Sequence, residues 1–179
     1  MPFNIHTLID RSPELPYFIL AVIYLLGTTN PEVMHIFSVA FIFVVTSLAS
    51  GLFLKSFFKT KRPIKHYDLP SLRYDFPSLH SMISIGTIVF VYYVAPAYSL
   101  LLTPVGLFYL YSRLKLKAHS VKGVVGGALL GIMLGYLFGR FMHDITIPEY
   151  LDMAFAVMLF CIPVFSALFR RKYSDKLDF

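Results

Sequence analysis

Tryptophan and glutamine are absent from this 179-residue chain, cysteine occurs once, and charged residues make up only 15% of it. The single cysteine, Cys161, excludes an intrachain disulfide and leaves the redox compartment open. Scarce amides reduce the number of thermolabile side chains. Charge is the more telling shortage, since a soluble domain of this length carries roughly a quarter charged residues. With 57% hydrophobic residues and a mean hydropathy of +0.69, the chain does not read as a water-soluble domain. No carboxylate/histidine cluster of metal-ligand type is present, so neither a metal nor another cofactor is expected, and nothing points to nucleic acid. Met1–Arg11 lacks the basic start of a signal peptide, and no small-residue cleavage site follows the first apolar run. There is no low-complexity segment or linker, so residues 1–179 read as a single domain.

The apolar residues fall in blocks: Leu15–Thr28, Val33–Phe58, Leu79–Val94, Ala97–Tyr111, Ser120–Gly139 and Leu151–Phe169. A bilayer core of about 30 Å needs about 20 apolar residues per helix. The second, fifth and sixth blocks have that length, and the others borrow flanking residues. The expected fold is all-α, a polytopic bundle of six transmembrane helices among membrane lipids, of undetermined oligomeric state. Six spans put both termini, the Lys59–Pro77 loop and the Ser112–His119 loop on one side. Fifteen of the sixteen Lys and Arg residues then share that side, with Arg140 alone opposite. The positive-inside rule makes such a face cytoplasmic. A basic face is equally what a site for anionic phosphate requires.

Three clusters on that side carry chemistry. Lys55 and Arg62, before Pro63, are seven residues apart, a spacing that puts them on one face of a continuing helix. Pro63 is then the expected stop. Such residues are also the ordinary basic fringe of a membrane helix. Pro77, Ser78 and His80 open the third span, with Pro77 expected in its first turn. Unpaired amides and a hydroxyl at a helix N-terminus favour an anion. Arg113 and His119 are six apart and can meet only if the chain bends between them. Each cluster alone has a bland interfacial reading; their joint order does not.

That order, Lys-x6-Arg-Pro, Pro-Ser-x-His and Ser-Arg-x5-His, resembles the signature of the type-2 phosphatidate phosphatase superfamily, over residues 55–135. The resemblance implies a metal-independent phosphatase acting on an anionic lipid phosphate. It makes His119 the nucleophile that forms a phosphohistidine and His80 the acid and base. It gives Lys55, Arg62, Ser78 and Arg113 the phosphate oxygens. One position departs. The family usually has an aspartate four residues after the nucleophile, and here stands Gly123. Gly123, Gly127, Gly131, Gly135 and Gly139 form a stripe of the kind that lets membrane helices approach closely. Ser120, Asp68, Asp75 or a backbone carbonyl could orient His119 instead. A milder departure is Leu79, where a glycine is common.

The dolichyl diphosphate phosphatase branch also lacks that aspartate. Tyr111-Ser112-Arg113 and His119-Ser120 look similar to its third motif. The resemblance therefore favours a polyprenyl (dolichyl-type) diphosphate or monophosphate, with phosphatidate and glycerophosphate-linked lipids as competing substrates. It also turns the motif face outward, against the charge bias. A degenerate lipid-binding or translocating protein would keep the same pocket without turnover. A vanadate-binding haloperoxidase would share the residues but is a soluble protein.

Overall fold

The computed structural model describes residues 31–63, 74–159 and 161. They form five helices and a short 3-10 turn, with no strand among the described residues beyond one isolated bridge, Lys61 to Tyr74. Helix α1 is Pro31–Phe58, α2 is Leu79–Val94, α3 is Pro96–Lys115 and α4 is Val121–Arg140. The 3-10 turn is Met142–Asp144, and α5 opens at residue 149 and is described to 159. His35–Phe58 and Val121–Arg140 are long and apolar enough to cross a membrane. The block at Leu15–Thr28 and the second half of Leu151–Phe169 lie outside the described residues, as do His6, His66, Asp68 and Pro163.

The chain divides into two compact units. In the first, made of residues 1–41 and 146–179, His35 Nδ1 meets Asp152 Oδ2 at 3.3 Å and Ser38 donates to the Asp152 carbonyl. Phe41 stacks on Phe155. The second, residues 42–145, holds every residue of the three sequence clusters.

Within this second unit α4 lies directly on α2. A Cβ built on Gly127 would collide with the Ser78 carbonyl, one on Gly131 with that of Met82, and one on Gly135 with that of Gly86. At Gly139 the Phe90 carbonyl stands 3.0 Å from the same point. Both rows step by four, so the glycine groove of α4 receives one ridge of α2 over its whole length. Phe43 of α1, fully buried, stacks on Phe90 and meets Phe138 edge-on in the space that Gly86 leaves. The other face of α4 is the apolar one: Val125, Leu129, Ile132 and Met133 are exposed.

Three boundaries differ from the sequence reading. Helix α1 ends at Phe58, short of Pro63, because Lys59 adopts φ 47° and returns its N–H to the Lys55 carbonyl. Pro63 still disfavours helix at Arg62 before it. Pro77 lies outside α2, whose N-cap is Ser78. Helix α3 runs to Lys115, so half of the expected Ser112–His119 loop is helical.

The groove makes α4 intolerant of bulk on one face only. Gly131→Ala is expected to lower stability by roughly 1–3 kcal/mol, because the methyl meets backbone that must move. Val125→Ala on the exposed face should do less. Thermal unfolding in detergent compares the two, and equal losses would contradict the backbone contact.

Candidate active site

The first motif is held by a short strap, residues 74–76. Thr60 anchors it: its carbonyl accepts from Asp75 N and its hydroxyl from Phe76 N, each at 2.9 Å. Buried Lys55 donates Nζ to the Tyr74 carbonyl at 2.7 Å and to the Asp75 carbonyl at 3.3 Å. Arg62 Nε donates to the same Tyr74 carbonyl at 3.0 Å. The two cations therefore meet, but not along a helical face as their spacing suggested. The left-handed turn at Lys59 and the Lys61–Tyr74 bridge bring Arg62 back to where Lys55 points.

The third motif bends sharply. Lys117 N donates to the Leu114 carbonyl and Ala118 N to that of Arg113, with Lys117 at φ 51°. This is the Schellman arrangement, with lysine where glycine is usual. It reverses the chain in three residues and brings His119 N to 3.4 Å from the Arg113 carbonyl. Arg113 and His119 are both buried, at 1% and 4% exposure, so the reversal places both motif residues inside the protein.

His119 Nδ1 lies 2.9 Å from Asp75 Oδ1. An ionised carboxylate only accepts, so Nδ1 carries the hydrogen and Nε2 keeps its lone pair. Oδ1 also accepts from Ser120 N at 3.0 Å, and the Ser120 hydroxyl donates to Oδ2. That hydroxyl caps α4 as well, accepting from Gly123 N at 3.1 Å. The carboxylate thus sits at a helix N-terminus, where negative charge is favoured. Burial would raise its pKa, but the bonds from His119 and Ser120 prevail and hold it below the usual carboxylate range.

The second motif arrives through the α2–α4 contact. Ser78 N donates to the Gly123 carbonyl at 2.9 Å, and the buried Ser78 hydroxyl accepts from Ser81 Oγ at 3.0 Å. Half-buried His80 lies within electrostatic range of Arg113, His119, Arg62 and Lys55. All six residues singled out from the sequence therefore gather in one region. The strap carbonyls of Tyr74 and Asp75, and the Thr60 anchor, had no sequence signal, because any residue type supplies a carbonyl. Among the described residues no group of three or more His, Cys, Asp or Glu is placed to hold a metal.

A family model described as the PAP2 superfamily matches residues 33–147, which is well over half of the chain and includes every residue of this site. Comparison with curated proteins and with solved structures gave no match.

Burial, the largest influence, sets the His119 imidazole at about 4 rather than 6.5; the Asp75 bond pulls upward, while Arg62 and Lys55 push further down. The folded protein thus binds a proton at His119 less readily than the unfolded chain does. This contribution to stability is fully present above about 6.5 and is lost as pH falls towards 4. Between pH 7 and 4.5 the wild type should therefore lose thermal stability more steeply than His119→Gln. Parallel losses would show that His119 titrates normally.

Proposed function

The chain belongs to the PAP2 superfamily, and from that premise we propose that it is an integral membrane phosphatase of polyprenyl diphosphates or monophosphates, working through a phosphohistidine on His119. Membership makes it a phosphatase of lipid-type phosphates; the chain type and the intermediate are the finer reading. The observation that carries it is a buried His119 with its Nδ1 hydrogen held by a carboxylate and with Lys55 and Arg62 acting on it.

In this reading Lys55, Arg62 and Arg113 take the non-bridging oxygens, and Ser78 and the amides opening α2 complete the cradle. Lys55 has given two N–H groups to carbonyls, and its third is left for the substrate. His119 Nε2 attacks phosphorus, and the bond to the leaving oxygen breaks. His80 gives that oxygen a proton, so a monophosphate leaves as the alcohol and a diphosphate as the monophosphate. The positive charge arising on His119 is met by Asp75. His80, now neutral, takes a proton from water as the water attacks phosphorus. The P–N bond breaks, inorganic phosphate leaves, and His119 returns to its starting form. The cations stabilise charge that grows on the phosphoryl oxygens, which is why no metal enters the scheme.

The membrane reading rests on α4, whose buried face carries a row of glycines and whose exposed face is apolar, unlike the polar exposed face of a soluble helix. A six-span bundle extends that reading to the apolar blocks outside the described residues. The polyprenyl preference rests on Tyr111-Ser112-Arg113, His119-Ser120 and Gly123, and it turns the motif face outward. The remaining basic residues of that face then meet anionic headgroups.

His119→Ala should abolish phosphate release. His80→Ala should slow it by roughly 10²–10⁴-fold, most for leaving groups that are poor as anions. Chelators should leave the rate unchanged. A panel of polyprenyl diphosphates, polyprenyl monophosphates and phosphatidate in detergent tests the substrate: faster turnover of phosphatidate would overturn the polyprenyl preference. Normal turnover by His119→Ala would overturn the phosphohistidine.

Sidedness has its own test. In a Cys161→Ser background, a cysteine at Lys176 should react with a membrane-impermeant thiol reagent on intact cells. Reaction only after lysis would place the motif face in the cytoplasm.

A further inference from the structure

We infer that Asp75 is the positioning residue for His119, supplying from the strap before α2 the carboxylate that the sequence lacks at Gly123. The inference rests on the phosphohistidine reading for its consequences in turnover, but its geometry stands on the site alone. Of the candidate orienters among the described residues, Asp75 is the one bonded to the ring, at 2.9 Å from Nδ1. Ser120 instead serves the carboxylate, with its amide on Oδ1 and its hydroxyl on Oδ2. Asp75 is 3% exposed, so water does not compete for these bonds.

The same carboxylate explains the glycine. A Cβ on Gly123 would stand 2.9 Å from Asp75 Oδ1, closer than real Cβ contacts, and 3.0 Å from Oδ2, so the carboxylate would have to shift. A side chain at 123 and the carboxylate of residue 75 compete for one space. Gly123 thus leaves room for Asp75, while Gly127, Gly131 and Gly135 below it open the groove for α2. The strap adds a further consequence. The residue that orients the nucleophile also offers its carbonyl to Lys55, and its neighbour Tyr74 holds both Lys55 and Arg62. Cations and nucleophile are thus fixed by one three-residue segment.

The test uses the purified full chain in detergent with a short-chain prenyl diphosphate. Asp75→Ala should lower kcat on the order of 10³–10⁴-fold, as loss of an orienting carboxylate does elsewhere, while KM changes little. Gly123→Asp alone should also lower kcat, because two carboxylates cannot share the space. Asp75→Ala combined with Gly123→Asp should recover at least about tenfold of the loss of Asp75→Ala. A positional effect has a second readout, ¹⁵N NMR of the histidines. His119 should be fixed in the Nδ1–H form in wild type, mixed in Asp75→Ala and fixed again in the double variant. Wild-type kcat in Asp75→Ala with the Nδ1–H form retained would overturn the inference. So would a double variant no better than Asp75→Ala in both kcat and tautomer. If wild type releases no phosphate from any lipid while the tautomer follows Asp75, the proposed function fails and the positioning role stands.

Discussion

Where α2 meets α4, no side chain separates the two backbones. Gly127, Gly131 and Gly135 face carbonyls of Ser78, Met82 and Gly86, and at the end of the contact Ser78 N donates to the Gly123 carbonyl. Association between helices in lipid gains little from the hydrophobic effect and depends on close packing. Here that packing also decides geometry. It brings the N-terminus of α2, with Ser78 and His80, against the N-terminus of α4, with Ser120 and the preceding His119. Two helix N-termini then point into one region, which favours negative charge there before any cation is counted.

The cations are arranged to preserve that preference. Lys55 is fully buried, and an unpaired charge there would be costly. Its shown partners are the carbonyls of Tyr74 and Asp75, and Arg62 Nε shares the first of them. Carbonyl dipoles offset part of the desolvation without cancelling charge. The carboxylate of Asp75 is bonded instead to His119 and Ser120. A net positive pocket and a neutral imidazole coexist because burial and the cations both oppose a second proton on that ring.

The sequence made legible whatever depends on residue type at fixed spacing. The block at Leu79–Val94 coincides with α2, and the glycine repeat is visible because period four is a helical face. The bend between Arg113 and His119 could be required but not described, since its key residue, Lys117, is an unremarkable lysine in a left-handed conformation. Lys55 and Arg62 show the opposite case. Their seven-residue spacing suggested a shared helical face, yet α1 stops at Phe58, and they meet through a turn and a carbonyl. Asp75 was one of several open choices, because an orienter from another segment leaves no periodic trace. The α2 N-cap at Ser78 rather than within the helix is a shift of the size that terminal turns ordinarily show.

Gly123 could be read either as a lost carboxylate or as a packing residue, and the geometry removes the choice. A carboxylate carried on α4 would reach His119 from the first turn of the helix that follows it, leaving the first motif unconnected to His119. Carried on the strap, it reaches the same Nδ1, benefits from the same helix N-terminus through Ser120, and links the first motif to the third. The strap can approach only because residue 123 has no side chain, and α2 can approach only because the residues below it, 127 and 131, have none. One row of glycines thus places α2, with His80, and admits the Asp75 carboxylate. With Asp75 in the proposed positioning role, the departure at residue 123 is a relocation of the carboxylate rather than its loss.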